Sequence, residues 1–248
     1  GRINCIAFDP FDKDIIWIGS PGGGLWKSID GGNNWSTNTD NLPVIGVSYI
    51  AINPINPQEM YITTGDAHAS DTYSIGILKS IDGGNTWDTT GIQFPVPSSK
   101  MVNKLLIHPT YTDSLFAATD ERIMISPDGG QTWSIAQNSS GSNLIGRFRD
   151  IEFKPNNPNV LYAVKQTTGS SEVFKSTDRG LSWFSSNNGI SIVNRNRPLI
   201  AVTPANPDVV YVLFCKNDYS FHGLYKSTDN AASWTLQSDS PNILGRAT

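Results

Sequence analysis

The chain has 248 residues, of which 38% are hydrophobic and only 16% charged, with 22 glycines and 15 prolines. That profile excludes a coiled coil or a disordered chain and describes an ordered, turn-rich globular protein of one large domain or two small ones. The net charge of −4 comes with no basic patch, which speaks against nucleic-acid binding, and no apolar run approaches the roughly 18 residues of a membrane span.

The opening GRINCIAFDP lacks a charged segment followed by a long apolar one, so no signal peptide is expected within it. Either one has been removed or the chain starts inside a longer protein. After it comes IAFDPFDKDIIW (6–17), a short apolar strand, a Pro/Asp turn and a second apolar strand ending in an aromatic. GSPGGG (19–24) reads as a tight turn with close backbone approach. It lacks the Lys-Ser/Thr and following helix of a phosphate loop. A third strand, GLWKS, leads into SIDGGNNW (28–35), and a fourth starts at Trp35.

This unit returns four times. The strand–turn–strand element recurs as IAINPINPQEMY, LLIHPTYTDSLF, IEFKPNNPNVLY and IAVTPANPDVVY, always with seven residues from proline to aromatic. The second element recurs as SIDGGNTW (80–87), SPDGGQTW (126–133), STDRGLSW (176–183) and STDNAASW (227–234). The last of these has Ala231 where the pattern has glycine. Four short antiparallel strands, A to D, at a period near fifty residues predict an all-β fold, a β-propeller of four-stranded blades. One propeller segment then occupies 1–248, with blades near 1–44, 45–100, 101–146, 147–195 and 196–248.

The repeated box sits between strands C and D and reads as a hairpin turn. Its residues are Ser28, Asp30, Gly32 and Trp35; Ser80, Asp82, Gly84 and Trp87; Ser126, Asp128, Gly130 and Trp133; Ser176, Asp178, Gly180 and Trp183; and Ser227, Asp229 and Trp234. Ser and Asp can bond the backbone that the turn leaves unpaired, glycine can take a positive φ, and tryptophan can bury a large face. Five equivalent carboxylates around a ring cannot converge on one substrate, so the boxes are read as scaffold.

The boxes match the Asp-box (bacterial neuraminidase) repeat. Together with the proline–aromatic element, they resemble the propellers of sortilin-like domains and of the xyloglucanase family, and large secreted bacterial proteins exported by type 9 secretion. The resemblance covers all five units and implies an extracellular or cell-surface protein with its boxes away from any active site. It carries over no catalytic set. Where the xyloglucanase pattern expects an Asp before a Gly-Gly pair, this chain has Pro21. Sialidase-like chemistry needs a Tyr/Glu pair that cannot be assigned. The three histidines, His68, His108 and His222, lie in different units, and His108 is read as a turn residue.

The A–B and C–D turns are uniform in length, while the connections at the opposite ends of the strands vary. Variable loops on a rigid scaffold point to the binding face. Candidates there are Tyr73, Arg147, Arg149, Arg195, Arg197, Tyr219, Phe221 and His222, with the arginines suited to an acidic ligand. Asp66 and Asp71 are spaced to offer oxygens to Ca²⁺, against a hydrogen-bonded Asx turn as the plainer reading. No other cofactor is expected. Cys5 and Cys215 have no zinc spacing. They are read as buried free thiols, with one disulfide as the alternative.

The reading is a non-catalytic surface module that binds a protein, peptide or glycan, with the remaining blades on the same polypeptide. The chain opens and closes at equivalent points between blades, and its fifth unit has its own strand D. A five-blade part of a larger propeller is therefore expected, with a closed five-bladed ring as runner-up. The functional alternatives are a glycoside hydrolase whose catalytic residues lie partly outside this chain and an architectural spacer in a large adhesin.

Overall fold

The structure, a computed structural model, describes residues 1–68, 72–96, 98–191 and 193–245. Each repeat folds as one antiparallel sheet whose strands pair in chain order. The first sheet holds β1 (Cys5–Phe8), β2 (Ile16–Ser20), β3 (Gly24–Ser28) and β4 (Ser36–Thr37). The second holds β5 (Val47–Ile52), β6 (Met60–Thr64), β7 (Gly76–Ser80) and β8 (Asp88–Gln93). The third holds β9 (Val102–Ile107), β10 (Leu115–Thr119), β11 (Ile123–Ser126) and β12 (Ser134–Ile135). After β13 (Gln137–Asn138), the fourth is built from β14 (Arg147–Lys154), β15 (Asn157–Gln166), β16 (Glu172–Ser176) and β17 (Ser182–Ser185). The fifth holds β18 (Asn196–Val202), β19 (Val210–Cys215), β20 (Phe221–Ser227) and β21 (Thr235–Ser238). The four-stranded blade thus recurs five times, and the fourth gains an edge strand, because β13 runs parallel to β17.

The chain divides into two compact units. One is Gly1–Thr119 with Met124–Ser134, and the other is Asp120–Ile123 with everything from Ile135 onward. Within each, the core lies between successive sheets. In the first unit Trp17, Leu25, Met60 and Ile62 form one apolar cluster, and Tyr61, Ile77, Val102 and Leu115 form the next. In the second, Tyr162, Val164, Ile200, Phe214 and Trp234 pack together. Strands β6 and β10 are buried along their whole length, as strands covered on both faces should be. That explains why their sequences, MYITT and LFAAT, lack a polar alternation.

In the first three blades the A–B hairpin is tied by the side chain before the proline. Asp9 Oδ1 accepts the N–H groups of Phe11 and Asp12 at 2.9 and 3.1 Å. Asn53 Oδ1 does the same for Ile55 and Asn56 at 3.0 and 3.2 Å, and His108 Nδ1 for Thr110 and Tyr111 at 3.2 and 3.0 Å. One turn geometry is served by a carboxylate, an amide and an imidazole, each offering an acceptor at the right reach. His108 is the turn residue that its place in the repeat suggested.

The five boxes share one hydrogen-bond pattern. In the second, Ser80 Oγ donates to Asp82 Oδ1 at 2.8 Å and accepts the Gly84 N–H at 2.8 Å. Asp82 Oδ1 accepts the Thr86 N–H at 2.9 Å, and Oδ2 accepts the Thr86 hydroxyl at 2.6 Å. The residue before the tryptophan fills that last role in every box, as Asn34, Thr86, Thr132, Ser182 and Ser233. Sequence reasoning passed over this position, although it is a hydroxyl or an amide in all five copies.

These bonds hold the carboxylates ionised well into acid. The Asn34 N–H and amide keep Asp30 at about 2, the Thr86 and Thr132 hydroxyls keep Asp82 and Asp128 at about 2, and the Ser233 hydroxyl keeps Asp229 at about 2. A carboxylate lowered in the folded state contributes fully above its unfolded pKa, about 4, and loses that contribution as pH falls through the folded value. The melting temperature is therefore expected to be insensitive to the boxes from neutral pH down to about 4 and to fall between about 4 and 2. Thr86→Val with Thr132→Val should make the fall smaller and end it at a higher pH, because the folded-state pKa moves back toward the unfolded one. An unchanged acid limb in that variant would remove the hydroxyls from the account.

Consecutive blades within each unit are stapled by the same turns. Strand D or the segment after it bonds the next box: Asn38 Nδ2 donates to Gly84 O at 2.6 Å, Gly91 N in β8 to Gly130 O at 2.7 Å, and Gln137 N to Leu181 O at 2.9 Å. Ser186 Oγ donates to Ala231 O, and Trp234 N to Asn188 O at 2.8 Å. Both cysteines are free thiols. Cys215 is buried and Cys5 partly so, with burial pushing the Cys5 thiol up to about 12.

Candidate ligand site at the loop end of the second unit

Antiparallel order puts the boxes and A–B turns at one end of each sheet, and the starts of strand A and the B–C turns at the other. In the second unit that other end gathers Arg147 and Arg149 from β14, Arg195 and Arg197 beside and within β18, and the β19–β20 turn with Tyr219. Four of the candidate arginines are thus brought to one end of two neighbouring sheets.

A β-bulge interrupts the first strand at the same place in four of the sheets. The register shifts between Val47 and Tyr49 in β5, opposite Ala118/Thr119 in β9, between Phe148 and Asp150 in β14, and between Asn196 and Leu199 in β18. A bulge adds a residue and re-aims its side chain. The added residues are Ser48 and Asn103 in the first unit, Arg149 in β14, and the Arg197–Pro198 pair in β18. Ser48 is spent on its own loop, donating to Gly65 O at 2.9 Å and accepting the Ala67 N–H at 2.9 Å.

The arginines of the second unit differ in setting. Arg147 pairs with Asp120 at 2.9 Å. Arg149 is half-buried, and burial, followed by the charges of Arg147 and Arg197, brings its guanidinium down to about 10. Asp120 and Asp150 act in the opposite sense on it. The Asp150 carboxylate also accepts the N–H groups of Ile151 and Ile200 at 3.0 and 3.1 Å. Arg197 adopts φ +36° and sets its guanidinium 5.4 Å from the ring of Tyr219, itself at φ +68°. Two non-glycine residues in the left-handed region side by side hold strain of about 1–3 kcal/mol each, of the kind that collects at ligand sites.

Arg195 was expected on the surface and is instead buried, 5.7 Å from the ring of Phe214, with no partner for Nε or Nη1. Its backbone explains this. Arg195 bridges Gly169 and Ser171, which turns the side chain in toward the blade. Phe221 also corrects an expectation, because it is a core residue and not part of an exposed loop. Lys216 N donates to Ser220 O at 2.7 Å and Asp218 accepts the Ser220 hydroxyl at 2.7 Å, so the turn closes early and β20 begins at Phe221 with its ring inward. His222 is half-buried, with its pKa lowered first by burial. Its Nε2 lies 3.0 Å from the Val193 carbonyl, which can only accept, so Nε2 carries the proton.

In the first unit, Tyr73 is exposed. Asp66 is buried, and its carboxylate accepts from the Arg2 guanidinium, the Asn4 amide at 3.3 Å and the His68 N–H at 2.9 Å. This is the Asx-turn arrangement plus an ion pair. Asp71 lies outside the described residues. Among the described residues no three His, Cys, Asp or Glu side chains come together as a metal site.

The family model described as sortilin, neurotensin receptor 3, matches residues 121–242. A xyloglucanase of Paenibacillus sp is 27% identical over 214 residues, covering 74% of this chain and 21% of that protein. Sortilin of Danio rerio is 26% identical over 180 residues, covering 71% and 20%. The crystal structure of an ancestral GH74 enzyme superposes with a TM-score of 0.74 at 20% identity, over 95% of this chain and 31% of that one. The chain therefore spans about a fifth of the length of these two curated relatives.

Proposed function

For this chain of Asp-box β-propeller blades, related to GH74 xyloglucanases and to sortilin, we propose a non-catalytic role in binding an acidic ligand at the loop end of its second unit. The observation that carries the reading is the convergence of Arg147 and Arg197 on the half-buried Arg149, on two bulged first strands. Guanidinium groups gathered at one place fit a carboxylate, which they can hold through paired hydrogen bonds. The strained Arg197–Tyr219 pair adds an aromatic face beside the charge. A peptide is favoured as the source of that carboxylate over a sugar acid. Strands β14 and β18 are the ends of their sheets, and an extended peptide can follow such an edge.

The test is fluorescence anisotropy with an extended peptide carrying a free C-terminal carboxylate, its C-terminal amide, oligogalacturonate and a neutral xyloglucan oligosaccharide. The free acid is expected to bind about tenfold or more tightly than the amide, and Arg149→Gln and Arg197→Gln to remove that advantage. Arg122→Gln, outside the cluster, should leave it in place. Equal binding of acid and amide would end the carboxylate reading, and binding of oligogalacturonate alone would replace peptide with polysaccharide.

The second reading, a glycoside hydrolase completed by residues outside this chain, is favoured by the xyloglucanase relatives. Release of oligosaccharides from xyloglucan by the full-length protein would support it. If no probe binds and nothing is released, the architectural role stands. We propose further, on the sequence resemblance alone, that the protein acts outside the cell or on its surface after type 9 secretion; recovery of the protein only in the cytoplasmic fraction would end that part of the reading.

A further inference from the structure

A guanidinium and an imidazole lie together in the second unit with hydrogen bonds unspent. Arg195 is 4% exposed, and its Nε and Nη1 have no partner. Its guanidinium carbon lies 5.7 Å from the Phe214 ring. His222 meets the same ring edge-on at 6.3 Å, and its Nδ1 is buried without a partner. Phe214 belongs to the apolar cluster that joins the fourth and fifth sheets, with Tyr162, Val164 and Ile200. Two backbone irregularities bring the pair there. The register of β19 and β20 shifts between Phe214 and Cys215, which face Gly223 and Phe221. His222 is therefore the added residue of a bulge, and its ring is re-aimed to stack on Tyr225 at 6.2 Å, beside Phe214. Arg195 is fixed by its backbone, because its N–H donates to Gly169 O and its carbonyl accepts the Ser171 N–H, at 3.3 Å each.

Neither group is served by its neighbours. Glu172, the carboxylate whose charge acts on Arg195, is bonded to Lys165 at 2.6 Å. His222 Nε2 already donates to the Val193 carbonyl at 3.0 Å, so Nδ1 carries the lone pair while the ring is neutral. A guanidinium keeps its proton, and an unpaired charge in the interior is costly. A bridging water would satisfy the N–H groups and leave the charge, whereas an anion answers both. These nitrogens are closed off from solvent, which suits an ion of atomic size better than a chain end or a sugar acid.

We infer that Arg195 and His222 hold a small inorganic anion, a halide such as chloride, between the fourth and fifth sheets. The anion and a proton bind together, because Nδ1 repels an anion while the ring is neutral and donates to it once protonated. Four groups act on the ring besides the Val193 carbonyl. Arg195 and Lys216 oppose its protonation, Asp239 favours it, and Tyr225 stacks on it. Burial lowers the His222 pKa more than any of these, so without the anion the ring is neutral at neutral pH. The inference stands apart from the acidic-ligand reading, which uses Arg147, Arg149 and Arg197 and neither of these two groups.

The melting temperature of the full-length protein, titrated with chloride at constant ionic strength against gluconate, tests it. The temperature is expected to rise with chloride. The apparent affinity should grow about fivefold or more from about pH 8 to about pH 5, above the range in which the boxes lose their contribution. Arg195→Gln should abolish the chloride effect. His222→Gln, which keeps a donor for the Val193 carbonyl, should retain the effect seen at the higher pH and lose its growth in acid. Should Arg195→Gln fail to fold, the growth in acid and its loss in His222→Gln still decide the matter. Crystals soaked in bromide should show the anomalous scatterer beside Arg195 Nη1 and His222 Nδ1. A melting temperature blind to chloride at both pH values would overturn the inference. So would bromide at the site without that dependence, which would mean an adventitious ion only. Loss of the chloride effect in Arg149→Gln but not in Arg195→Gln would move the anion to the acidic-ligand cluster and equally end it.

Discussion

Trp183→Ala is expected to cost about 3–5 kcal/mol in a denaturant titration, and Trp35→Ala only about 1–2 kcal/mol. The boxes are alike in sequence and in their internal bonds. Trp183 Nε1 donates to Gly180 O at 2.7 Å, and Trp35 Nε1 to Gly32 O at 2.9 Å. What differs is cover. Strand β13 lies along β17 in parallel, opposing Asn138 to Trp183, and leaves the indole 1% exposed. Trp35 has no such strand beside it among the described residues and is half-exposed. The cost should therefore follow the cover and not the motif. Equal losses at the two positions would show that the turn's own hydrogen bonds, and not packing between blades, set the value of the tryptophan.

The repeat made the sheets legible, because a fifty-residue period with two fixed spacings constrains strand order before any coordinate is known. It also disposed of the boxes as catalytic groups, and each box aspartate is occupied by its own turn. Other features were written in places that the repeat pattern hides. The residue before each box tryptophan is a cap for the aspartate, visible only when the five copies are compared at that one column. The departure at Ala231 is tolerated without a change of turn. Asn230 and Ala231 take φ values of 60° and 63°, so the left-handed conformation is kept at an energetic cost of about 1–2 kcal/mol. Arg195 and Phe221 look like loop residues in the sequence because strand boundaries cannot be placed to a residue, and a shift of one or two positions exchanges a solvent face for the core. The convergence of Arg149 with Arg147 and Arg197 depends on bulges, which no pattern of hydrophobic residues announces.

The staple between blades makes a strict demand on backbone. Gly189→Ala is expected to cost roughly 3 kcal/mol or more, or to abolish the folded state of the fifth blade. Gly189 has φ +90°, and a Cβ there would sit 2.1 Å from the carbonyl oxygen of Trp234. That atom is backbone and cannot rotate aside, and the adjacent Trp234 N donates to Asn188 O at 2.8 Å, which fixes the two segments against each other. The chain after strand D must then either move away, breaking that bond and uncovering Trp234 and Ile190, or accept the clash. Gly91 makes the same approach in the second blade, where a Cβ would lie 2.3 Å from Gln131 O, and both glycines precede an isoleucine that is buried. Gly22→Ala is the control, because nothing lies within 4 Å of its added Cβ and its φ is not positive. It should change stability by less than about 0.5 kcal/mol. A Gly189→Ala chain as stable as the Gly22→Ala chain would mean that the segment after strand D is free to shift, and the blades would then be held by their apolar faces without the staple.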